Sequence, residues 1–265
     1  MKHVLKPLAF LLVAGFLITS CKKEVKEAAQ NEISQETLTK IYDHGFGTTN
    51  VQKVDEGYLV EGDIILTEDY LNSTASGSLL RTATGEQYHT TNLVTGTPRT
   101  ITVSSSGSVN SNVSTAIDVA IARYNAENIS ITMQRVSSGG DINIKIINGA
   151  NYIASAGFPT SGGDPYNQVK FNRQYQSWQN STLASVFAHE MGHCIGFRHS
   201  DYFDRSISCG GSPTNEGAST VGAIWIPNTP QAPQVDNGSW MLSCIGNGVN
   251  RPFTNYDKTA LGYLY

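Results

Sequence analysis

The sequence predicts an α+β fold in which a twisted, mixed and mostly parallel sheet packs against helices. Short stretches of alternating apolar and polar residues recur from about residue 97 onward and predict strands. Two helical patterns interrupt these strands, and a third closes the chain. Hydrophobic residues make up 39% of the 265 residues and 25 residues are glycine, which suits one sizeable core with many turns.

The first 21 residues have the pattern of an export signal. Lys2 and Lys6 give a positive start, and the apolar run at residues 8–18 is shorter than the roughly 20 residues of a membrane-spanning helix. Small residues then lead to Cys21, which resembles the lipobox of bacterial lipoproteins, where the cysteine is acylated. Cleavage as an ordinary signal peptide is the alternative. Both interpretations predict export. The lipobox adds an anchor in the outer membrane or at the cell surface, with later release as a further option.

Residues 22–95 show less regular strand and helix patterns than the rest of the chain. Residues 22–40 are polar and charged and predict a flexible tether or a frayed helix. Residues 57–66 contain strand-like stretches broken by glycine, and residues 72–87 predict a loop. We therefore divide the mature chain into an N-terminal tether or pro-region at residues 22–95 and one folded domain at residues 96–265.

The folded domain begins with a strand and a helix. Residues 99–104 alternate as a half-buried strand does. Residues 114–126 predict a helix with one apolar face, capped by Ser111 or Asn112. Three more strands are predicted, at residues 129–136, 141–147 and 168–172.

Two further helices are separated by a long loop. Ser181 or Thr182 caps a helix that runs to about Cys194. Residues 200–232 are rich in Gly, Pro and Ser and predict a loop. Residues 254–265 form an amphipathic C-terminal helix.

The stretch from His189 to His199 carries the chemistry. His189 and His193 are four residues apart on a predicted helix, so their imidazoles leave the same face one turn apart. That separation suits two ligands of one tetrahedral Zn²⁺. Gly196 offers a positive-φ position that ends the helix and reverses the chain, which returns His199 as a third ligand. The fourth position stays open, as in catalytic zinc sites.

This pattern, His-Glu-x-x-His-x-x-Gly-x-x-His, resembles the signature of the metzincin metallopeptidases. Residues 239–241 (Ser-Trp-Met) resemble the Met-turn of that group, although ordinary core packing would also explain Met241. Residues 253–265 resemble the last helix of astacin-like and matrixin-like catalytic domains. Residues 55–265 as a whole are similar to the bacterial dual-action HEIGH metallopeptidases. The resemblance implies a metzincin-like catalytic domain at residues 96–265, with an active-site helix and a C-terminal helix.

The same resemblance implies a zinc endopeptidase that acts on extracellular or cell-surface proteins. Glu190 is turned about 100° from His189 around the helix, so it can face the attacking water without binding the metal. We expect Glu190 to act as general base and then as general acid. We expect the substrate to pair with an edge strand, for which we choose residues 168–172.

One position departs from the resemblance. Astacins and serralysins have a tyrosine two residues after the Met-turn methionine that assists the oxyanion, and Ser243 stands there in this chain. Tyr202 and Tyr256 are the substitutes that we consider. Specificity is expected to depend on the wall formed by residues 220–255, with Trp225 and Trp240 as candidates.

Several other side chains have two interpretations each. Asp201 could have a supporting role, in which it anchors the turn or accepts a hydrogen bond from a ligand imidazole. The alternative is a solvated loop carboxylate. We expect His44 and His89 to lie outside the metal site. If the N-terminal region is a pro-region, an aspartate such as Asp63 or Asp69 could cover the zinc; otherwise the region is a spacer.

The cysteines allow one disulfide in an exported chain. Cys194 lies inside a predicted helix as a small apolar residue, so we favour a bridge between Cys209 and Cys244.

Partners and competing functions follow from charge and from the motif. The net charge of −4 offers no basic stripe, so we expect no nucleic-acid partner. We expect a monomer that binds protein or peptide substrates and the membrane through its lipid anchor. A non-catalytic surface-binding lipoprotein on the same scaffold is the main alternative, against which the intact Glu190 argues. A zinc hydrolase of another class, such as an amidase, is the second.

Overall fold

The computed structural model describes residues 33–73, 87–213, 215, 222–230, 234 and 236–265. The predicted export signal with Cys21, and most of the loop predicted at residues 72–87, lie outside these ranges. We call residues 33–73 the N-terminal segment and residues 87–265 the main domain. No helix within the described ranges combines the length and apolarity that crossing a membrane requires.

Eight strands of the described chain form one sheet. Three belong to the N-terminal segment: β1 (Gln52–Val54), β2 (Gly57–Val60) and β3 (Ile64–Leu66). Five belong to the main domain: β5 (Arg99–Ser106), β6 (Ile131–Arg135), β7 (Ile142–Ile147), β8 (Ala154–Gly157) and β9 (Gln168–Asn172). Two short strands, β4 (Tyr88–His89) and β10 (Ile224–Trp225), pair separately as an antiparallel ribbon.

The order across the large sheet is β1-β2-β3-β8-β9-β7-β5-β6. Strands β6, β5, β7 and β9 run parallel to one another. Strand β8 is antiparallel to β9, and β3 is parallel to β8. Strands β1, β2 and β3 form an antiparallel meander. The predicted α+β class with a mixed, mostly parallel sheet is confirmed.

The strand β9 lies inside the sheet, between β8 and β7. Our choice of residues 168–172 as the substrate-binding edge is therefore wrong. The outermost strand that the main domain contributes on this side is β8, and β3 of the N-terminal segment pairs with it. Strand order depends on pairing between distant parts of the chain, which the alternation of one strand does not encode.

The helices are α1 (Gln35–Asp43), α2 (Glu68–Asn72), α3 (Ser111–Asn125), α4 (Asn180–Cys194), α5 (Ser206–Cys209) and α6 (Asn255–Leu264). Helices α3 and α4 pack against each other, and together with the sheet they enclose the main core. Every residue of α4 from Thr182 to Cys194 is buried, so this helix runs through the middle of the domain.

Two of the predicted helices begin two or three residues earlier than expected. Helix α3 begins at Ser111 because Asn110, not Ser111 or Asn112, caps it: its Oδ1 accepts from the backbone N–H of Val113 at 2.8 Å. Helix α4 begins at Asn180 after Gln179, and no side chain caps it.

The C-terminal helix starts as expected, and its first turn carries a capping box. The hydroxyl of Thr254 accepts from the backbone N–H of Asp257, and the carboxylate of Asp257 accepts from the backbone N–H of Thr254. The prediction of a loop at residues 200–232 holds for most of the described part. The short α5 and β10 interrupt it.

Candidate metal centre

Four side chains converge at one point in the core. One ligand atom from each of His189, His193, His199 and Asp63 lies within 4.8 Å of the other three. The three histidine rings are buried, with exposed fractions of 7%, 0% and 0% in that order. The structure thus brings together the three histidines that the sequence predicted and adds a carboxylate from the N-terminal segment.

The backbone fixes the tautomer and direction of the two histidines on α4. Nδ1 of His189 lies 2.8 Å from the carbonyl oxygen of Trp240, and Nδ1 of His193 lies 2.8 Å from that of Phe197. Because a carbonyl oxygen only accepts, each Nδ1 carries the proton and each Nε2 presents a lone pair.

Both Nε2 atoms are buried, and within the described chain neither has a hydrogen-bond partner. Burying such an acceptor without a partner is costly, and a metal ion removes that cost. Burial, followed by the neighbouring His189 and His199, holds the pKa of His193 well below its usual value, which keeps this ligand neutral. Three imidazole ligands with an open fourth position fit Zn²⁺.

The third histidine is brought back by the turn after α4. Gly196 has a φ of +110°, and a Cβ there would lie 2.7 Å from Cδ2 of Leu93 and 2.9 Å from the carbonyl oxygen of Asn92. The backbone N–H of Phe197 donates to Gly192 at 2.9 Å and closes the helix end. This geometry requires glycine, as the sequence predicted.

Met241 lies beneath the helix between the two histidine ligands. A Cβ placed on Gly192 would come within 2.7 Å of Sδ of Met241, which is fully buried. The backbone N–H of Ser200, next to His199, donates to the carbonyl oxygen of Met241 at 2.9 Å. The turn at residues 239–241 therefore supports both α4 and the chain that carries His199.

Glu190 shares the core with the histidines and is 3% exposed. Its Oε2 has no hydrogen-bond partner among the described residues. Burial, and then the carboxylate of Asp63, raise the pKa of Glu190 well above its usual value. A buried carboxyl group with a raised pKa beside a metal site is suited to taking up and releasing a proton.

Asp63 reaches the histidines from the turn between β2 and β3. Glu61 and Gly62 in this turn have φ values of +53° and +89°. Oδ1 of Asp63 lies 3.2 Å from Nε2 of His199, and its Oδ2 lies 3.6 Å from Nε2 of His189. Although burial alone would raise it, His199 and His189 hold the pKa of Asp63 well below its usual value. Asp69, the other aspartate that we considered, is exposed on α2 and outside the cluster.

The turn that holds Asp63 is tied to the main domain by a buried ion pair. Nη2 of Arg198 lies 2.6 Å from Oε1 of Glu61, with side chains 0% and 1% exposed. Nη1 of Arg198 donates to the carbonyl oxygen of Gly45 at 2.8 Å, and its guanidinium lies 4.1 Å from the ring centroid of Phe46. No local sequence pattern predicts this pair, because only the fold brings Glu61 to a position 137 residues away.

Asp201 anchors the turn, one of the roles considered for it. It is fully buried, and its Oδ1 accepts from the backbone N–H and the hydroxyl of Ser243 at 2.9 and 2.7 Å. Its Oδ2 accepts from the hydroxyl of Ser208. The position of the astacin-type tyrosine is thus occupied by a serine that holds a loop.

The remaining sequence candidates lie away from the metal. Tyr202 is buried against the ring of Tyr88, with centroids 4.7 Å apart, and Tyr256 is 46% exposed on α6. His44 contacts the carbonyl oxygen of Leu71 at 3.2 Å, and His89 contacts that of Thr90 at 2.7 Å.

A cavity of about 280 Å³ opens beside His189 and Glu190. Trp240 lines it as expected, whereas Trp225 lies on β10 and does not. The favoured disulfide is present: Cys209 and Cys244 are bridged, Cys244 lies in the cavity wall, and Cys194 is a buried free thiol.

A buried centre with two histidines on the central helix and a third from the following turn, in this mixed α+β fold, defines a metzincin-type zinc metallopeptidase. The sequence profile described as "Dual-action HEIGH metallo-peptidase" matches residues 58–265. The chain belongs to this family, which confirms the resemblance seen in the sequence.

Two solved structures are similar to this chain. One, "Structure of myroilysin", is 18% identical, with a TM-score of 0.43 over 66% of this chain and 96% of that chain. The other, "Crystal structure of myroilysin", is 16% identical, with a TM-score of 0.40 over 69% of this chain and 90% of that chain. No curated protein matches the sequence significantly.

Proposed function

We propose that this metallopeptidase is an endopeptidase that cleaves proteins outside the cell or at its surface, with Glu190 as the proton carrier. His189, His193 and His199 hold Zn²⁺. The observation that carries the proposal is the pair of buried, unpartnered Nε2 atoms on α4, with the buried carboxyl group of Glu190 on the same helix.

Each residue has a defined task in peptide hydrolysis. When bound, Zn²⁺ supplies a Lewis acid that polarises the scissile carbonyl and lowers the pKa of water. The carbonyl oxygens of Trp240 and Phe197 hold the imidazoles of His189 and His193 in orientation. Glu190 takes a proton from the attacking water and passes it to the leaving amine.

A Glu190→Gln variant tests this proposal, because the amide keeps the shape of the side chain and loses the proton transfer. We expect unchanged zinc content by metal analysis and a loss of casein hydrolysis of about 10²-fold or more. Glu36→Gln, at an exposed position on α1, is the matched control. Casein hydrolysis by Glu190→Gln at the wild-type rate would show that another group carries the proton. The absence of casein hydrolysis by the wild type would favour the surface-binding alternative.

The same proposal assigns the N-terminal segment an inhibitory role. Asp63 offers a carboxylate where the fourth ligand of the metal belongs, within 4.8 Å of all three histidine ligand atoms. A carboxylate there competes with water and with the substrate carbonyl for the open position that catalysis requires.

The backbone of the segment adds a second obstruction. Strand β3 pairs with β8, so Ile64 and Ile65 stand opposite Ala156 and Gly157. The backbone N–H of Ala156 donates to the carbonyl oxygen of Asp63 at 3.0 Å. An extended substrate needs the same strand edge for β-augmentation. The segment therefore acts as a pro-region, and its removal opens both the metal and the edge.

The full chain carrying Asp63→Ala tests this role, with the exposed Asp69→Ala as control. Cobalt-substituted protein reports the ligand set through its visible absorption, independently of turnover. We expect the visible spectrum of the cobalt protein to change in Asp63→Ala and to stay unchanged in Asp69→Ala. Casein hydrolysis by Asp63→Ala should rise about tenfold or more.

A second arm introduces a site-specific protease sequence within residues 74–86 of the full chain. We expect cutting there to raise the activity of the wild-type background. The segment would instead be a spacer if wild type and Asp63→Ala gave the same spectra and rates and the uncut chain were fully active.

The location proposed for the enzyme depends on Cys21. We propose a lipoprotein anchored in the outer membrane or at the cell surface, supported by the small residues that end at this cysteine. Labelled palmitate should be incorporated into the wild-type protein and not into a Cys21→Ala variant. Equal membrane association of both would favour an ordinary signal peptide.

A further inference from the structure

The cavity beside the metal has a specific charge pattern. It is bounded on one side by His189 and Glu190, which face the scissile bond under the proposed function. Much of its wall is apolar, formed by Ile153, Val186, Trp240, Leu242 and Ile245. Its volume of about 280 Å³ has room for one side chain.

Two arginines also line this cavity, Arg205 and Arg251. The carboxylates in its wall are Asp63, which comes from the N-terminal segment, and Glu190, which serves the metal centre. After the N-terminal segment has left, the charged side chains that remain in the cavity wall outside the metal centre are the two arginines. This part of the cavity is therefore positively charged.

Arg251 is partly buried and has no ion pair within the described chain. Its Nη1 reaches the carbonyl oxygen of Leu242 only at 3.4 Å. Asp201 attracts it through space, but both oxygens of Asp201 accept hydrogen bonds from serines. Burial lowers the pKa of Arg251, which reflects a cation with little compensation.

Arg205 is held in part by the segment that departs. Its Nη1 donates to the carbonyl oxygen of Glu61 at 2.6 Å, and a Cβ on Gly62 would lie 2.7 Å from its Nη2. Loss of the segment therefore removes one acceptor from this guanidinium at the mouth of the cavity.

We propose that this cavity selects an acidic side chain, Asp or Glu, next to the scissile bond of the substrate, with Arg251 as the main specificity residue and Arg205 assisting. The inference rests on the proposed endopeptidase function. A guanidinium pairs with a carboxylate through two parallel hydrogen bonds, and apolar walls strengthen that attraction. An amide of the same shape leaves the cation uncompensated.

The test uses the full chain cut at the site introduced within residues 74–86. Three peptide series differ at one position only: Asp or Glu, Asn or Gln, and Leu or Phe. Mass spectrometry maps the cleaved bond, and kcat/KM is measured for each series. We expect the acidic series to exceed the amide series by about tenfold to a hundredfold.

Substitution at the arginines should remove this preference. Arg251→Met is expected to bring the acid-to-amide ratio of kcat/KM to about twofold or less, and Arg251→Lys to an intermediate ratio, because lysine keeps the charge without the fork. Arg173→Met, an exposed arginine outside the cavity, is the matched control and should keep the wild-type ratio. Thermal unfolding verifies that each variant is folded.

Calorimetry on a cut Glu190→Gln variant separates the two proposals, since binding needs no turnover. Tighter binding of acidic peptides without any hydrolysis by the wild type would support the cavity and sink the endopeptidase function. If casein is hydrolysed but kcat/KM is equal for the acidic and amide peptides, the proposed specificity is wrong and the endopeptidase function stands. A higher kcat/KM for the Leu and Phe series would lead to the same conclusion.

Discussion

Oδ1 of Asp63 lies 3.2 Å from Nε2 of His199, although 136 residues separate the two in the chain. Through this contact the N-terminal segment reaches the metal centre of the main domain. Glu61 lies two residues before Asp63, and Arg198 lies directly before His199. The ion pair between Glu61 and Arg198 holds the two parts in this position. Buried charges therefore add to the pairing of β3 with β8 in attaching the segment.

The first prediction concerns this ion pair. Glu61→Gln removes one partner and leaves the guanidinium of Arg198 buried without its counter-charge. We expect the free energy of unfolding in urea to fall by about 3–5 kcal/mol. We also expect the cut chain to release its N-terminal segment faster on gel filtration. Glu36→Gln breaks an exposed pair with Lys40 and should cost less than about 1 kcal/mol. Equal losses in both variants would contradict the importance of burial.

The second prediction concerns the contact between α4 and the methionine below it. Gly192→Ala places a Cβ within 2.7 Å of Sδ of Met241 and 3.0 Å of Nε1 of Trp240. Because both neighbours are buried, we expect a loss of about 1–3 kcal/mol in stability. Zinc should also transfer faster to a chromogenic chelator, since Trp240 orients His189. Gly246→Ala has no atom within 4 Å of the new Cβ and serves as the control.

The third prediction concerns pH and Asp257. Burial raises the pKa of this carboxyl group to about 6, although Thr254, Ser239 and Trp240 donate hydrogen bonds to it. Between about pH 4 and pH 6 the folded protein therefore binds a proton that the unfolded chain has lost. The contribution of the Asp257 carboxyl group to the free energy of unfolding is therefore fully present below about pH 4. It falls as pH rises toward 6, by at most about 1.4 kcal/mol per pH unit.

Asp257→Asn should remove that component of the pH dependence. Urea unfolding at a series of pH values from 4 to 7 measures it. The variant should also be less stable by about 1–3 kcal/mol at pH 4, because an amide cannot accept from all the donors that now face the carboxyl oxygens. Parallel pH profiles for wild type and Asp257→Asn would show that the carboxyl group titrates at its ordinary value.

The fourth prediction concerns the disulfide between Cys209 and Cys244. The bridge closes a loop with a sequence separation of 35 residues, so its loss should cost about 2–4 kcal/mol. A Cys209→Ser/Cys244→Ser double variant tests this by thermal unfolding. Wild type in reducing agent should match the double variant. Cys194→Ala, which removes the buried free thiol, should leave the sensitivity to reducing agent intact.

Local sequence predicted those features that short-range geometry controls. The i, i+4 spacing of His189 and His193 places both rings on one helix face, and Gly196 allows the turn back to His199. The strands at residues 99–104 and 168–172 also follow from alternation alone. The disulfide followed because Cys194 belongs to the buried face of a helix.

The errors and omissions share a different cause. The strand at residues 168–172 has the pattern of a strand, but its place inside the sheet depends on pairing with β8 and β7. The sequence suggested Asp63 and Asp69 equally as residues that could cover the metal, and only the fold distinguishes them. Arg251 carried no recognisable motif, and the Thr-x-x-Asp spacing of residues 254–257 predicts a helix cap but not the burial of Asp257.

The sequence by itself determined the cluster of three histidines and the class of chemistry, because helical periodicity and one glycine turn bring three imidazoles together within eleven residues. Tertiary structure decided what else meets that centre: the carboxylate of Asp63, the ion pair between Glu61 and Arg198, and the arginines beside the cavity. These groups come from distant parts of the chain. Their proximity results from the packing of the whole sheet, for which no single stretch of sequence carries the pattern.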